Sequence, residues 1–148
     1  MKMPALSRVL FIFVAVFLAA AGHFADMSKT HMFNPNWPPH AKFHAGQTLL
    51  FSIALSLCTI FFSFRRTTDK VNAVMAAALF SALYPITQAL AILYPNTYFW
   101  DPEFASMPNT MLGLPGQLVI DSAALSIVAF SAWFALRKRA VWVQSATS

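Results

Sequence analysis

Two histidines four residues apart are the first residues in this chain able to do chemistry together. They lie in Asn34-Pro35-Asn36-Trp37-Pro38-Pro39-His40-Ala41-Lys42-Phe43-His44. A helix beginning near Pro39 puts His40 and His44 on one face, and Gln47 extends that face. Such a pair can hold a transition metal, because both imidazoles can point at one ion. No glutamate completes an H-E-x-x-H motif, so this spacing does not indicate zinc-protease chemistry. The plainer alternative is a pair of interfacial polar side chains hydrogen-bonded to loop carbonyls.

Asp121 is the second such residue, inside a long apolar run. An ionised carboxylate within a membrane helix costs at least about 2.5–3.5 kcal/mol, and such groups usually face a bundle interior and mark a functional site. The alternative role is structural, with the acid protonated or hydrogen-bonded to Gln117. Other polar residues fall at similar depth: His23 with Asp26, Tyr84 with Gln88, and Gln117 four residues before Asp121. At the helical rise, Gln47, Gln88 and Asp121 each lie roughly 10 Å from the ends of their segments. The expected site therefore has His40, His44 and Asp121 as its acid–base centre. His23, Asp26, Trp37, Gln47, Tyr84, Gln88 and Gln117 are expected to contact the ligand. A histidine–carboxylate pair of this kind can transfer protons, orient a metal ligand or hold a polar head group.

The elements that must position these groups are four apolar segments, at about 6–25, 40–64, 71–94 and 112–136. The chain of 148 residues is 58% hydrophobic and only 10% charged, far from the balance of an ordinary soluble domain. Each segment approaches the roughly 20 residues that cross a bilayer. The expected fold is all-α: a single-domain, integral membrane four-helix bundle with short loops. Prolines punctuate the connections, and Pro85 falls inside the third segment, where it frees a carbonyl. The small residues Ala73, Ala76, Ala77, Ala78, Ser81 and Ala82 suggest close helix approach there. The first segment, with Lys2 and Arg8 before an apolar run and small residues at Ala19–Gly22, also fits a cleavable signal peptide. A retained helix is expected, because three helices alone need a partner to close a bundle.

Charge orients the bundle. Of the ten lysines and arginines, Lys2, Arg8, Arg65, Arg66, Lys70, Arg137, Lys138 and Arg139 fall at one set of segment ends, and only Lys29 and Lys42 at the other. This is a strong positive-inside bias, so both termini are expected in the cytoplasm and all four histidines on the far side. Tyr94, Tyr98, Phe99 and Trp100 are then expected in the outer aromatic belt. The net charge of +5 belongs to membrane flanks rather than to a nucleic-acid surface. The single cysteine, Cys58, cannot form an internal disulfide or a C-x-x-C redox pair. No glycine-rich phosphate loop is present.

The stretch Asn34–His44 resembles a signature of small, uncharacterised four-helix membrane proteins of bacteria and fungi. The resemblance implies a helical membrane fold, points to the His40/His44 region and carries no assigned activity. A looser likeness to membrane sterol-isomerase relatives is one of architecture alone, with no shared motif. The leading expectation is a polar cavity in the outer half of the bundle that binds a small amphipathic, lipid-like molecule and catalyses proton transfer on it. One alternative is metal handling or transport through His40 and His44, with a transition metal as cofactor. Another is a structural accessory subunit whose polar groups only fix packing. The expected surroundings are a lipid bilayer, of a bacterial inner or a eukaryotic membrane, without nucleic acid.

Overall fold

Proline and aspartate begin the helices, and arginine ends two of them. The structure, a computed structural model, describes residues 2–106 and 108–137. Pro4 precedes α1 (Ala5–Asp26), and Pro39 opens α2 (Pro39–Phe64), where its missing N–H costs nothing. Asp69 caps α3 (Lys70–Leu90) by accepting from the Asn72 amide at 3.2 Å. The fourth helix, α4, spans Gly116–Arg137. All four are long and apolar enough to cross a membrane. Lys138 and Arg139, counted above with the basic end, lie outside the described residues.

Each helix packs against the next in sequence, and α4 closes the ring against α1. The short connections make neighbours antiparallel. At the basic end the interior is filled by Phe11, Val14, Val74, Val128 and Ala135, all buried. Ala73, Ala77 and Ser81 form a buried stripe on α3, matching the close approach expected of that segment. Hydroxyls tie helices together there: Ser7 Oγ donates to the Ser131 carbonyl at 2.8 Å, and Ser56 Oγ to the Ala15 carbonyl at 2.7 Å. Pro85 is buried within α3, which continues past it to Leu90. One turn earlier, Ser81 Oγ donates to the Ala77 carbonyl at 2.8 Å and reaches Thr59 Oγ1 at 3.3 Å, linking α3 to α2.

Two segment ends differ from the sequence-based expectation. The third apolar run leaves the α-helix at Leu90 and finishes as a single 3-10 turn, Ala91–Leu93. The fourth helix begins four residues later than Leu112. Thr110–Met111 (β1) and Leu114–Pro115 (β2) pair antiparallel across a two-residue turn instead. Leu112 and Gly113 both take positive φ, 54° and 76°, as a tight hairpin turn of the right twist requires. An apolar leucine in that turn reads as helix in the sequence, and the positive φ is visible only in the fold.

Candidate functional site

At the histidine-bearing end the bundle holds a cavity of about 600 Å³, within the range of small-molecule sites. It is enclosed by α1, α3, α4 and the two loops at that end. No residue of α2 lines it. From α1 come Leu18, Ala21, Gly22 and Asp26, and the small residues leave the space. A β-carbon at Gly22 would sit 3.3 Å from Tyr84 Oη, so glycine lets the phenol approach α1. From α3 come Tyr84 and Gln88, and from α4 Gln117, Ile120 and Asp121.

Phe99, Trp100, Asp101 and Phe104 of the α3–α4 loop line the cavity's outer side. This loop is tied to the rest at two places. Gln117 Nε2 donates to the Phe99 carbonyl at 2.7 Å, and Gln88 Nε2 reaches Gln117 Oε1 at 3.4 Å. Across the cavity mouth, the α1–α2 loop grips the same segment. Trp37 Nε1 donates to Asp101 Oδ2 at 2.8 Å, and Asn36 Nδ2 to Glu103 Oε2 at 2.9 Å. The buried Asn34 donates from Nδ2 to Glu103 Oε1. The Asn34-Pro35-Asn36-Trp37 stretch thus acts as a clamp, with its indole and amide donors facing the two acids of the opposite loop.

Three carboxylates line the cavity, in different surroundings. Asp26 Oδ1 lies 3.7 Å from His31 Nε2. The His31 ring stands edge-on to Trp37 at 5.1 Å, and its Nδ1 is 2.8 Å from Thr30 Oγ1. Asp101 accepts the Trp37 indole N–H. Asp121 is 2% exposed, and its Oδ2 is buried with no hydrogen-bond partner among the described residues. A buried acceptor left unmade costs more than an average hydrogen bond gains, and an ionised one costs more still.

The expected site residues therefore divide. Asp26, Tyr84, Gln88, Gln117 and Asp121 share one cavity. His40, His44 and Gln47 do not line it: they form an exposed row on the first turns of α2. There the two histidine Nε2 atoms are 3.1 Å apart, and His44 Nδ1 is 3.2 Å from Gln47 Oε1. The expected convergence of His40 and His44 with Asp121 is thus replaced by a cavity among α1, α3 and α4. The i, i+4 face was placed on α2 as expected, but helix rotation decides which faces meet. His23 turns back on its own helix, its Nδ1 2.7 Å from the Ala19 carbonyl. Trp37 acts from the cavity's edge through Asp101 and His31. Among the described residues, no group of three His, Cys, Asp or Glu is gathered as a metal site.

Sequence reasoning missed His31 and the loop aromatics as cavity residues. His31 lies in the turns between α1 and α2, where helical spacing carries no information about which side chains meet. Tyr98, Phe99 and Trp100 were assigned to an aromatic belt, although three successive aromatics just before the acidic pair Asp101 and Glu103 were a usable sign of a structured loop.

The chain belongs to a family of unknown function, DUF6640, whose family model matches residues 11–147. No curated protein and no solved structure matches it. The family, like the one the Asn34–His44 stretch resembles, comes without an assigned activity.

Proposed function

We propose that this member of a family of unknown function is a polytopic membrane protein, with both termini cytoplasmic, that binds a small amphipathic molecule in the cavity at its extracytoplasmic end. Four spanning-length helices support the membrane reading. So do large apolar side chains turned outward, including Leu50, Leu57, Phe61 and Leu79, which in water would form an unusually large apolar surface. The orientation rests on the basic residues gathered at the opposite end.

The observation that carries the binding reading is Asp121: buried on the cavity wall, with an oxygen that no described residue satisfies. A group held at that cost within apolar surroundings is best accounted for by a partner that enters the cavity. The acid–base groups on the wall include His31, Asp26 and Asp121, a set suited to proton transfer on the bound molecule. In that chemistry His31 takes the role expected above of His40 and His44.

Native mass spectrometry of the protein released from mild detergent tests the binding reading. An adduct of small-molecule mass is expected on the wild type. It should be absent from Ala21→Phe, which fills the cavity from α1. An adduct retained by a folded Ala21→Phe protein would overturn the assignment to this cavity. Topology is tested in a Cys58→Ala background with single cysteines at Ser106 and Thr68. Only Ser106→Cys should react with an impermeant thiol reagent added from outside the cell.

One observation favours a second reading, metal handling. His40 and His44 already point their Nε2 atoms toward each other at 3.1 Å, as two ligands of one ion would. Calorimetric titration with Zn²⁺ checks it: binding that His40→Ala abolishes would support it, and no heat in the wild type would remove it.

A further inference from the structure

The chemistry of the cavity wall points to a class of ligand, an inference that rests on the binding reading above. Among the described residues the wall has three carboxylates, Asp26, Asp101 and Asp121, and includes no lysine or arginine. His31 also lines it, and it faces Asp26. An anion entering this space would meet like charges in a low-dielectric setting, where repulsion is strong. A bare metal ion would need several ligands drawn together, and no such group is gathered among the described residues.

The carboxylates also differ in availability. Asp26 faces His31, and Asp101 accepts from Trp37. Of the three, only Asp121 has a buried oxygen without a hydrogen-bond partner among the described residues. The same wall carries aromatic and apolar side chains, Tyr84, Phe99, Trp100 and Phe104 with Leu18 and Ile120, beside the amides of Gln88, Asn109 and Gln117. Aromatic faces carry negative charge density and attract organic cations, most strongly once these have lost their water. A single unpaired acid together with aromatic faces suits a soft cation whose charge is wrapped in carbon. It does not suit a compact ion that must keep its hydration shell.

We propose that the cavity selects an organic cation: an amphipathic tertiary or quaternary amine whose charged head pairs with Asp121 beside the loop aromatics, and whose apolar body lies along Leu18 and Ile120. Binding then removes the cost of the unpaired buried carboxylate, which is the source of selectivity. A neutral molecule of the same shape fills the same volume and leaves that cost in place.

Three radiolabelled probes test this on the full chain in lipid nanodiscs, with partition into empty discs subtracted. They are decyltrimethylammonium, its neutral isostere with carbon in place of nitrogen, and decyl sulfate, all below their micelle concentrations. The wild type is expected to bind the ammonium probe at least about tenfold more tightly than the neutral isostere, and decyl sulfate least. Asp121→Asn should reduce ammonium affinity by about tenfold or more while changing the neutral probe by less than about twofold. Trp100→Leu, which keeps an apolar side chain but removes the aromatic face, should lower the ammonium affinity more than the affinity for the neutral probe. Asp69→Asn removes the same charge at the far end of the bundle and should change nothing.

Equal binding of the ammonium and neutral probes by the wild type would overturn cation selection while leaving the cavity a binding site. So would undiminished ammonium binding by Asp121→Asn. No cavity-dependent binding of any probe, with no adduct in native mass spectrometry, would instead remove the binding reading itself.

Discussion

The two ends of this bundle are built from the same four helices and solve opposite problems. At the basic end Phe11, Val14, Val74 and Val128 meet in a packed core, and a pocket beside Met3 and Phe62 holds only about 10 Å³. Polar groups there are small hydroxyls, of which Ser7 and Ser56 donate to carbonyls of neighbouring helices while Ser63 Oγ has no partner among the described residues, and the arginines rest on aromatic faces at the rim, as Arg8 does on Phe64 at 5.1 Å. At the histidine end α1 presents Ala21 and Gly22 where the other end has Phe11 and Val14, and the space becomes a cavity. Its polar groups are long, acidic or amide-bearing, and one is left without a bond. The difference shows where stability is made and where it is given up. Packing at one end supports an arrangement at the other that packing alone would not favour.

The largest effect that would separate the ends is a truncation in the core. Phe11→Ala should cost about 3–5 kcal/mol, because Phe11 is fully buried and its neighbours cannot close the gap. Thermal unfolding in nanodiscs measures it. Ile120→Ala, which borders existing space, should cost about 1 kcal/mol. Equal losses at the two sites would erase the distinction.

Asp121→Leu should act in the opposite direction. Replacing an unpaired buried acid with an apolar group should raise stability by about 2 kcal/mol. A fall in melting temperature would mean that the acid already has a partner.

The loop clamp predicts a smaller and more local change. Trp37→Phe keeps the ring but removes the N–H bonded to Asp101, a loss of about 1 kcal/mol. Amide exchange should quicken in the loop around Trp100 and stay unchanged in the core turns of α1.

The smallest effect comes from a pair of glycines. Gly22→Ala pushes a methyl toward Tyr84 Oη, whereas a β-carbon at Gly46 meets nothing within 4 Å. Gly46→Ala should therefore stabilise α2 slightly, by up to about 1 kcal/mol. Gly22→Ala should gain less and weaken ligand binding, and matched gains with unchanged binding would show that the close approach at Gly22 is unimportant.

Much of this was legible from residue order. Apolar run length located four helices, and Pro39 marked the start of one. Four of the expected ligand contacts, Asp26, Tyr84, Gln88 and Gln117, fall on the cavity together with Asp121 of the expected acid–base centre, because a polar residue within an apolar helix end has few places to go except a shared interior. His40 and His44 escaped that logic. They stand on the first turns of α2, where an exposed imidazole needs no buried partner. The late start of α4 was hidden because Leu112 is apolar, and its positive φ depends on the hairpin it closes.

Length, hydropathy and charge placement by themselves determined four helices, their order and the polar character of one end, since each is a local property of a segment. Which helix faces turn inward is a collective result of packing. Only the tertiary structure left α2 out of the cavity, brought His31 and the Trp100 loop into it, and left Asp121 there with an oxygen unpartnered among the described residues. No stretch of residues read alone contains the rotation of its neighbours.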